Sequence, residues 1–264
     1  MANLGPGRVI FIGAGPGAAD LITVRGAARL AQADVVLFDA LTDPALRAHA
    51  PDAKWVDVGK RGYTGAPGSP DQATINALLV TYAREVDVVV RLKGGDPSVF
   101  GRLEEELEAL AEAGIACEVV PGVTAAIAAA AATQRPLTRR GNGRSVSLTT
   151  AMTREGPLRG AQATRSADTE VFYMGGKQLA ALSRRLLAAG WPPDTPVSVV
   201  SRAGWPDQRH SEHTAASLAH AGALHAGRPA VVTVGAGAAA VPGVPAGAGL
   251  RDAGHTECTA GTTP

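Results

Sequence analysis

The 264-residue sequence predicts an α/β fold in two domains, a mostly parallel N-terminal sheet followed by a mixed C-terminal sheet. Through the first half, short β-branched and apolar runs alternate with helix-length segments, the rhythm of parallel strands joined by right-handed crossovers. Near residue 137 a turn-rich basic stretch, Pro136-Leu137-Thr138-Arg139-Arg140-Gly141-Asn142-Gly143-Arg144, interrupts that rhythm, and an alternating strand follows it. Hydrophobic residues make up 45% of the chain and charged residues 19%, a globular balance with length enough for buried cores.

The elements follow in order. Val9-Ile10-Phe11-Ile12, stopped by Gly13, reads as a strand buried on both faces. Thr23 caps a helix over residues 24–32, with apolar positions at Ala27, Ala28, Leu30 and Ala31. Strands are predicted at 34–38, 54–58, 86–92 and 117–120, and helices at 72–85 and 103–113. After Pro121-Gly122, residues 125–132 are alanine except for Ile127, a strong helix former with so little bulk that a neighbour must approach it closely. The second half offers strands at 145–150, 170–174, 197–201 and 230–234, and an amphipathic helix at 178–189. From Ala236 the chain is mostly Ala, Gly, Pro and Thr, which bury too little surface to offset ordering entropy. The expected organisation is a flexible N-terminus 1–7, an N-terminal domain 8–136, a C-terminal domain 137–237 and a disordered tail 238–264.

Charge narrows the function classes. Twenty-five Lys plus Arg against 24 Asp plus Glu leave +1, with no global field to grip a nucleic acid or an anionic membrane, so neither is an expected partner. The longest small-apolar run, residues 123–133, is far below the ~20 residues that span a bilayer. Residues 1–8 lack the basic-then-apolar order of a secretory signal, and Cys117 and Cys258 supply neither a disulfide framework nor a four-cysteine site. A cytoplasmic protein is expected. The six histidines contain no H-E-x-x-H spacing, so no metal is expected, and His210-Ser211-Glu212-His213 reads as surface.

Three strand ends carry the chemistry. Gly13-Ala14-Gly15-Pro16-Gly17-Ala18 formally satisfies a dinucleotide fingerprint, with Asp39 ending the next strand where such folds keep a ribose-binding acid. Against it, Pro16 has no N–H for a phosphate and the helical pattern starts only near Val24. A nicotinamide oxidoreductase and a purely structural turn both remain open on this motif alone. Lys93-Gly94-Gly95-Asp96-Pro97 ends a second strand, with bare backbone for a ligand and a carboxylate that could accept from a hydroxyl or ammonium, or simply cap the turn. Val119-Val120-Pro121-Gly122-Val123-Thr124-Ala125-Ala126 ends a third. Gly59-Lys60-Arg61-Gly62, with Arg25, Arg91, Arg139, Arg140 and Arg144, could hold a polycarboxylate through bidentate forks or stay solvated.

These segments, with Asp20-Leu21-Ile22-Thr23-Val24-Arg25-Gly26, Gly101-Arg102 and Phe172-Tyr173-Met174-Gly175, resemble the uroporphyrinogen-III C-methyltransferases of the tetrapyrrole methylase family in order and spacing, over residues 8 to about 235. The resemblance implies a homodimer of two α/β domains with S-adenosylmethionine in the cleft between them, and an acidic tetrapyrrole as substrate methylated twice, to precorrin-2 by way of precorrin-1, in sirohaem or cobalamin synthesis. By position it implies Pro16, Gly94, Gly95, Asp96, Val99, Thr124, Ala125, Met174 and Ala203 around the methyl donor. It implies Asp39 as proton acceptor, Lys60 as proton donor, and Arg25, Arg61 and Arg139 at substrate carboxylates. Arg139 and the Thr150-Ala151-Met152 segment depart from the family pattern, each lacking a histidine. A non-catalytic binder and a methylase of a later precorrin are the alternatives that these departures leave open. No dehydrogenase or ferrochelatase segment precedes Arg8, so methylation without those activities is the expectation.

Overall fold

The computed structural model describes residues 7–59, 71–153, 156–157 and 164–244. β1 (Arg8–Gly13), β2 (Val35–Phe38), β3 (Lys54–Asp57), β4 (Val88–Lys93) and β5 (Cys117–Val120) form one sheet in the order β3-β2-β4-β1-β5. Every pair in it is parallel. A parallel sheet must be covered on both faces, and strand alternation divides the covering. Val9 and Phe11 of β1 pack with Leu79 and Ala83 of α2 (Gln72–Glu85) and Leu110 of α3 (Leu103–Glu112). Ile10 and Ile12 pack on the opposite side with Leu30 of α1 (Val24–Leu30), and with Leu46 in the 3-10 turn Pro44–His49.

α4 (Ala125–Thr133) leads to the second sheet. β6 (Val146–Thr150), β9 (Thr169–Tyr173), β10 (Pro196–Ser201), β11 (Arg209–Thr214) and β12 (Ala230–Gly235) lie in the order β11-β10-β12-β9-β6, while β7 (Met152–Thr153) and β8 (Gly156–Pro157) pair apart. The sheet is mixed: β6 and β9 are parallel and the other pairs antiparallel. One face packs Phe172, Val199 and Val232 against Leu179, Leu182 and Leu186 of α5 (Leu179–Ala188), and α6 (Gly222–His225) follows the 3-10 turn Leu218–Ala221. The other face packs Val171, Tyr173, Val200 and Val231 against Ala126, Ala128 and Ala129 of α4. The small alanine faces allow that close approach, and the neighbour is a sheet.

Local chemistry sets the boundaries. Thr23 Oγ1 accepts from Gly26 N at 3.0 Å to start α1, and Asp71 Oδ1 accepts from Thr74 N at 2.8 Å to start α2. β4 starts at Val88, two residues later than the sequence predicts, because Val86 still closes α2 through a bond to Tyr82 O. β11 is a strand that the periodicity did not predict. The region expected to form the tail begins in ordered chain: Ala238 is buried, and its carbonyl accepts from Arg135 Nη1 at 2.7 Å. Residues 1–6 of the expected flexible N-terminus, and 245–264 of the expected tail, lie outside the described residues.

Candidate functional site

In an open α/β sheet, ligands bind beyond the carboxyl ends of the strands where the strand order reverses. β1 and β4 are neighbours at such a point, with β5 beyond β1. Their glycine-rich ends meet backbone to backbone. A Cβ on Gly13 would lie 2.5 Å from Gly122 Cα and 2.7 Å from the Gly95 carbonyl oxygen, closer than side-chain atoms come. Gly15 and Gly95 exchange backbone hydrogen bonds of 3.2 and 2.7 Å, with φ of +80° and +72° that glycine adopts freely. Asp96 fastens the seam, its Oδ1 accepting from Ser98 N and its Oδ2 from Gly122 N, both at 2.8 Å.

One side of this seam is open. The nearest atom to a Cβ on Gly95 would be Thr124 Cα at 3.9 Å, and to one on Gly94 would be Leu41 Cβ at 3.6 Å. Gly94-Gly95 therefore present bare backbone between Leu41 and Thr124. The first glycine loop does something different: Gly15 pairs with Gly95, Gly17 lies under Trp205, and α1 starts only at Val24. That loop is packed on both sides and does not open a helix towards a phosphate, which removes the geometry a dinucleotide site needs.

The second sheet supplies the opposing wall. β9 and β10 are each antiparallel to β12 between them, so they run the same way and release Met174 and Ala203 from one edge. Val99, Ala125, Met174 and Ala203 join a single apolar cluster with Ala126 and Tyr173. Thr124 Oγ1 and the Tyr173 hydroxyl lie 2.7 Å apart, and burial pushes the Tyr173 pKa up against that bond. Pro16 completes the ring, its carbonyl accepting from Trp205 Nε1 at 3.1 Å. Phe100, Arg102, Met174 and Arg202 are non-glycine residues with φ between 51° and 59°, a strained conformation that clusters at functional sites.

Asp39 stands at the end of β2, beside the open backbone. Its Oδ1 accepts from Arg91 Nη2 at 2.6 Å, while among the described residues Oδ2 accepts no hydrogen bond. Arg91 is 3% exposed and its Nε donates to Glu106 Oε1 at 3.0 Å; Lys93 Nζ donates to Glu106 Oε2 at 2.6 Å. Burial alone would depress Arg91, but Asp39 and Glu106 outweigh it and its pKa ends raised. Lys93 ends lowered, by burial first and Arg91 second, against the pull of Glu106. Two cations and two carboxylates thus form a balanced set, with Arg91, Lys93 and Glu106 buried and the outermost member, Asp39, partly exposed.

The remaining sequence-predicted residues are dispersed. Lys60 and Arg61 lie outside the described residues, although Gly59 backs onto Ala40, where a Cβ would come within 2.7 Å of its Cα, so the chain enters that segment next to Asp39. Arg25 is exposed on the first turn of α1. Arg139 is turned towards the end of the described chain, its Nη2 donating to Ala239 O and its Nη1 to Ala240 O. Among the described residues no group of three or more side chains could hold a metal ion, and no helix is long and apolar enough to cross a membrane. His210 and His213, expected at the surface, are partly buried and bonded to Ser198 and Ser211. Sequence reasoning missed Leu41, Phe100, Tyr173 and Trp205 as residues at the cleft. Phe100, 45% exposed with its ring 5.0 Å from that of Tyr173, follows the second glycine loop, and that proximity in sequence was its only signal.

Residues 8–219 match the family of tetrapyrrole (corrin/porphyrin) methylases. A uroporphyrinogen-III C-methyltransferase of Pseudomonas aeruginosa is 42% identical over 231 residues, covering 87% of this chain and 93% of the relative. A siroheme synthase of Edwardsiella ictaluri is 46% identical over 202 residues, 75% of this chain but only 43% of that longer protein. The crystal structure of uroporphyrin-III C-methyl transferase from Thermus thermophilus complexed with S-adenyl homocysteine is similar at a TM-score of 0.75 and 35% identity, covering 87% of this chain and 97% of that one.

Proposed function

This chain belongs to the tetrapyrrole (corrin/porphyrin) methylases, and on that premise we propose that it methylates uroporphyrinogen III twice with S-adenosylmethionine, giving precorrin-2 by way of precorrin-1. The observation that carries the reading is the open Gly94-Gly95 backbone facing an apolar wall, with an oriented carboxylate at the end of the neighbouring strand. Those residues fit a sulfonium nucleoside. Gly94 and Gly95 leave the space that side chains would fill, Val99 and Ala125 add apolar surface beside them, and Met174 and Ala203 offer it from the second sheet opposite. When bound, S-adenosylmethionine supplies a methyl group on a positively charged sulfur.

The chain's own residues orient the partners and handle the proton. Alignment of an electron-rich ring carbon with the methyl contributes most to such a displacement, and the fixed strand ends serve it. Asp39 takes the proton that the macrocycle loses from a neighbouring position after methylation, the methylated carbon itself being quaternary: Arg91 fixes one oxygen, and among the described residues the other accepts no hydrogen bond. Lys60 is the proposed proton donor, and Gly59 against Ala40 supports its starting near Asp39. Arg25, Arg61 and Arg139 are proposed to meet substrate carboxylates, with Arg139 doing so while tied to the carbonyls of Ala239 and Ala240.

The proposal extends to a cytoplasmic homodimer whose protomers divide near residue 137. Val24, Val119 and Ile127 are exposed apolar residues close in sequence to the Thr23–Pro121 contact at the β5 edge, which supports a second copy covering that edge. The product would enter sirohaem or cobalamin synthesis. Incubation of the chain with uroporphyrinogen III and labelled S-adenosylmethionine should yield a dimethylated product, and Asp39→Asn should slow it by ~10²-fold or more. Binding of the donor without any methylated tetrapyrrole would reject the reading.

A further inference from the structure

The loop after β10 bridges the two walls of the cleft, and its contacts converge on Trp205. Gly204 O accepts from Ala18 N at 2.9 Å, and Trp205 Nε1 donates to Pro16 O at 3.1 Å. The indole lies directly on Gly17, where a Cβ would come within 2.6 Å of Nε1. The Arg202 guanidinium sits 4.3 Å from the centre of the Trp205 ring. Arg202, with φ of 51°, is tied in turn: its Nε donates to Asp207 Oδ1 at 2.7 Å, and Arg228 Nη2 donates to Asp207 Oδ2 at 2.9 Å. Arg228 Nε reaches back to Ser201 Oγ at 3.1 Å, at the end of β10.

We propose that Trp205 is a latch, a positioning residue that holds the Pro16-Gly17 turn against the loop carrying Ala203 and so sets the affinity of the cleft for the methyl donor. The inference rests on the reading of the cleft given above and goes beyond it, because Trp205 need not touch the donor. Pro16 and Ala203 belong to opposite walls. A hydrogen bond across the walls, clamped by a stacked cation and an acid between two arginines, fixes their spacing before a ligand arrives. Preorganisation of this kind lowers the ordering cost of binding, and its loss is read as weaker affinity. Gly17 is part of the device, since any side chain there presses on the indole and on the Ala203 carbonyl beside it.

Trp205→Phe keeps a ring for Arg202 and deletes the N–H. Calorimetric titration with S-adenosylhomocysteine should give a Kd raised about 3- to 10-fold, the equivalent of one net hydrogen bond. The KM for the methyl donor should rise with it, while kcat changes by less than about 2-fold, a split that general destabilisation would not produce. A Cβ on Gly17 would also come to 2.9 Å from Ala203 O, so Gly17→Ala should weaken binding in both backgrounds, but clearly less in Trp205→Ala than in the native chain. An unchanged Kd in Trp205→Phe, or an equal effect of Gly17→Ala with and without the indole, overturns the latch while leaving the cleft reading intact. Failure of the native chain to bind S-adenosylhomocysteine overturns the cleft reading and the latch together, so the two failures are told apart.

Discussion

Replacing Glu106 by Gln removes one charge from a set of four, of which Arg91, Lys93 and Glu106 are buried. Arg91 and Lys93 face Asp39 and Glu106, and Glu106 is 0% exposed, accepting from Arg91 at 3.0 Å and Lys93 at 2.6 Å. The amide preserves shape but leaves two cations opposite the single carboxylate of Asp39. Breaking a buried pair from one side costs about 3–5 kcal/mol, because the remaining charge stays buried without compensation. That is a large part of the ~5–15 kcal/mol by which proteins are stable. The pH dependence follows from Lys93, whose pKa burial and Arg91 already lower from 10.5 against the pull of Glu106. Without Glu106 it falls further. A lysine with a lowered pKa binds fewer protons folded than unfolded, so stability rises with pH from its folded pKa up to its unfolded one. The deficit of the variant against the native protein is therefore greatest near neutrality and narrows towards pH 10.5. Urea unfolding of both proteins in steps from about pH 7 to about pH 10 measures it. A deficit under about 1 kcal/mol at neutral pH, well below that of a broken buried pair, would refute the reasoning, as would one that widens with pH.

Two further outcomes are expected. His225 is 0% exposed, with Nδ1 2.9 Å from Ser201 Oγ and Nε2 2.8 Å from Ser211 Oγ, and burial first, then His213, lowers its pKa from 6.5 to about 4. Its contribution to stability is full above pH 6.5 and is lost as pH falls towards 4, by about 3–4 kcal/mol in all at ~1.4 kcal/mol per pH unit; His225→Gln should flatten that fall in urea titrations, and an equally steep fall in the variant would contradict it. Gly122→Ala brings a Cβ to 2.7 Å from Gly13 Cα, where only backbone can yield; the expected loss is about 1–3 kcal/mol of stability together with weaker S-adenosylhomocysteine binding, and a native Kd in a folded variant would argue against the seam as the site.

Much of this fold was legible in the sequence because its signals are local. α2 spans Gln72–Glu85 as its pattern predicts, since Asp71 caps it and Ile75, Leu79 and Ala83 repeat along one face. β5 spans Cys117–Val120 as predicted, bounded by Pro121. β11 was not legible: Arg-His-Ser-Glu-His-Thr carries no apolar alternation, and it is a strand because β10 offers it an open edge. The glycine-rich loops could be found at strand ends, but which faces were sealed and which open depended on Gly13, Gly95 and Gly122 meeting from three strands. Arg91 reads in the sequence as a cation for a polycarboxylate or for solvent, whereas it is buried and bonded to Asp39 and Glu106, and Lys93 is buried beside it. Their partner Glu106 lies 13 residues or more away on another element, and no periodicity joins them. The left-handed backbone at Phe100, Met174 and Arg202 falls on residue types that do not favour it, so sequence gave no hint of these strained positions.

The central claim is that the strand ends of the first sheet and the edge of the second make one cleft for a sulfonium nucleoside beside Asp39. A crystal structure of this chain with S-adenosylhomocysteine tests it most directly. The nucleoside should rest on Gly94-Gly95 and Thr124-Ala125, with Met174 and Ala203 opposite and its sulfur turned towards the Asp39 side. A nucleoside bound elsewhere, or on the far side of the seam from Asp39, would contradict the account.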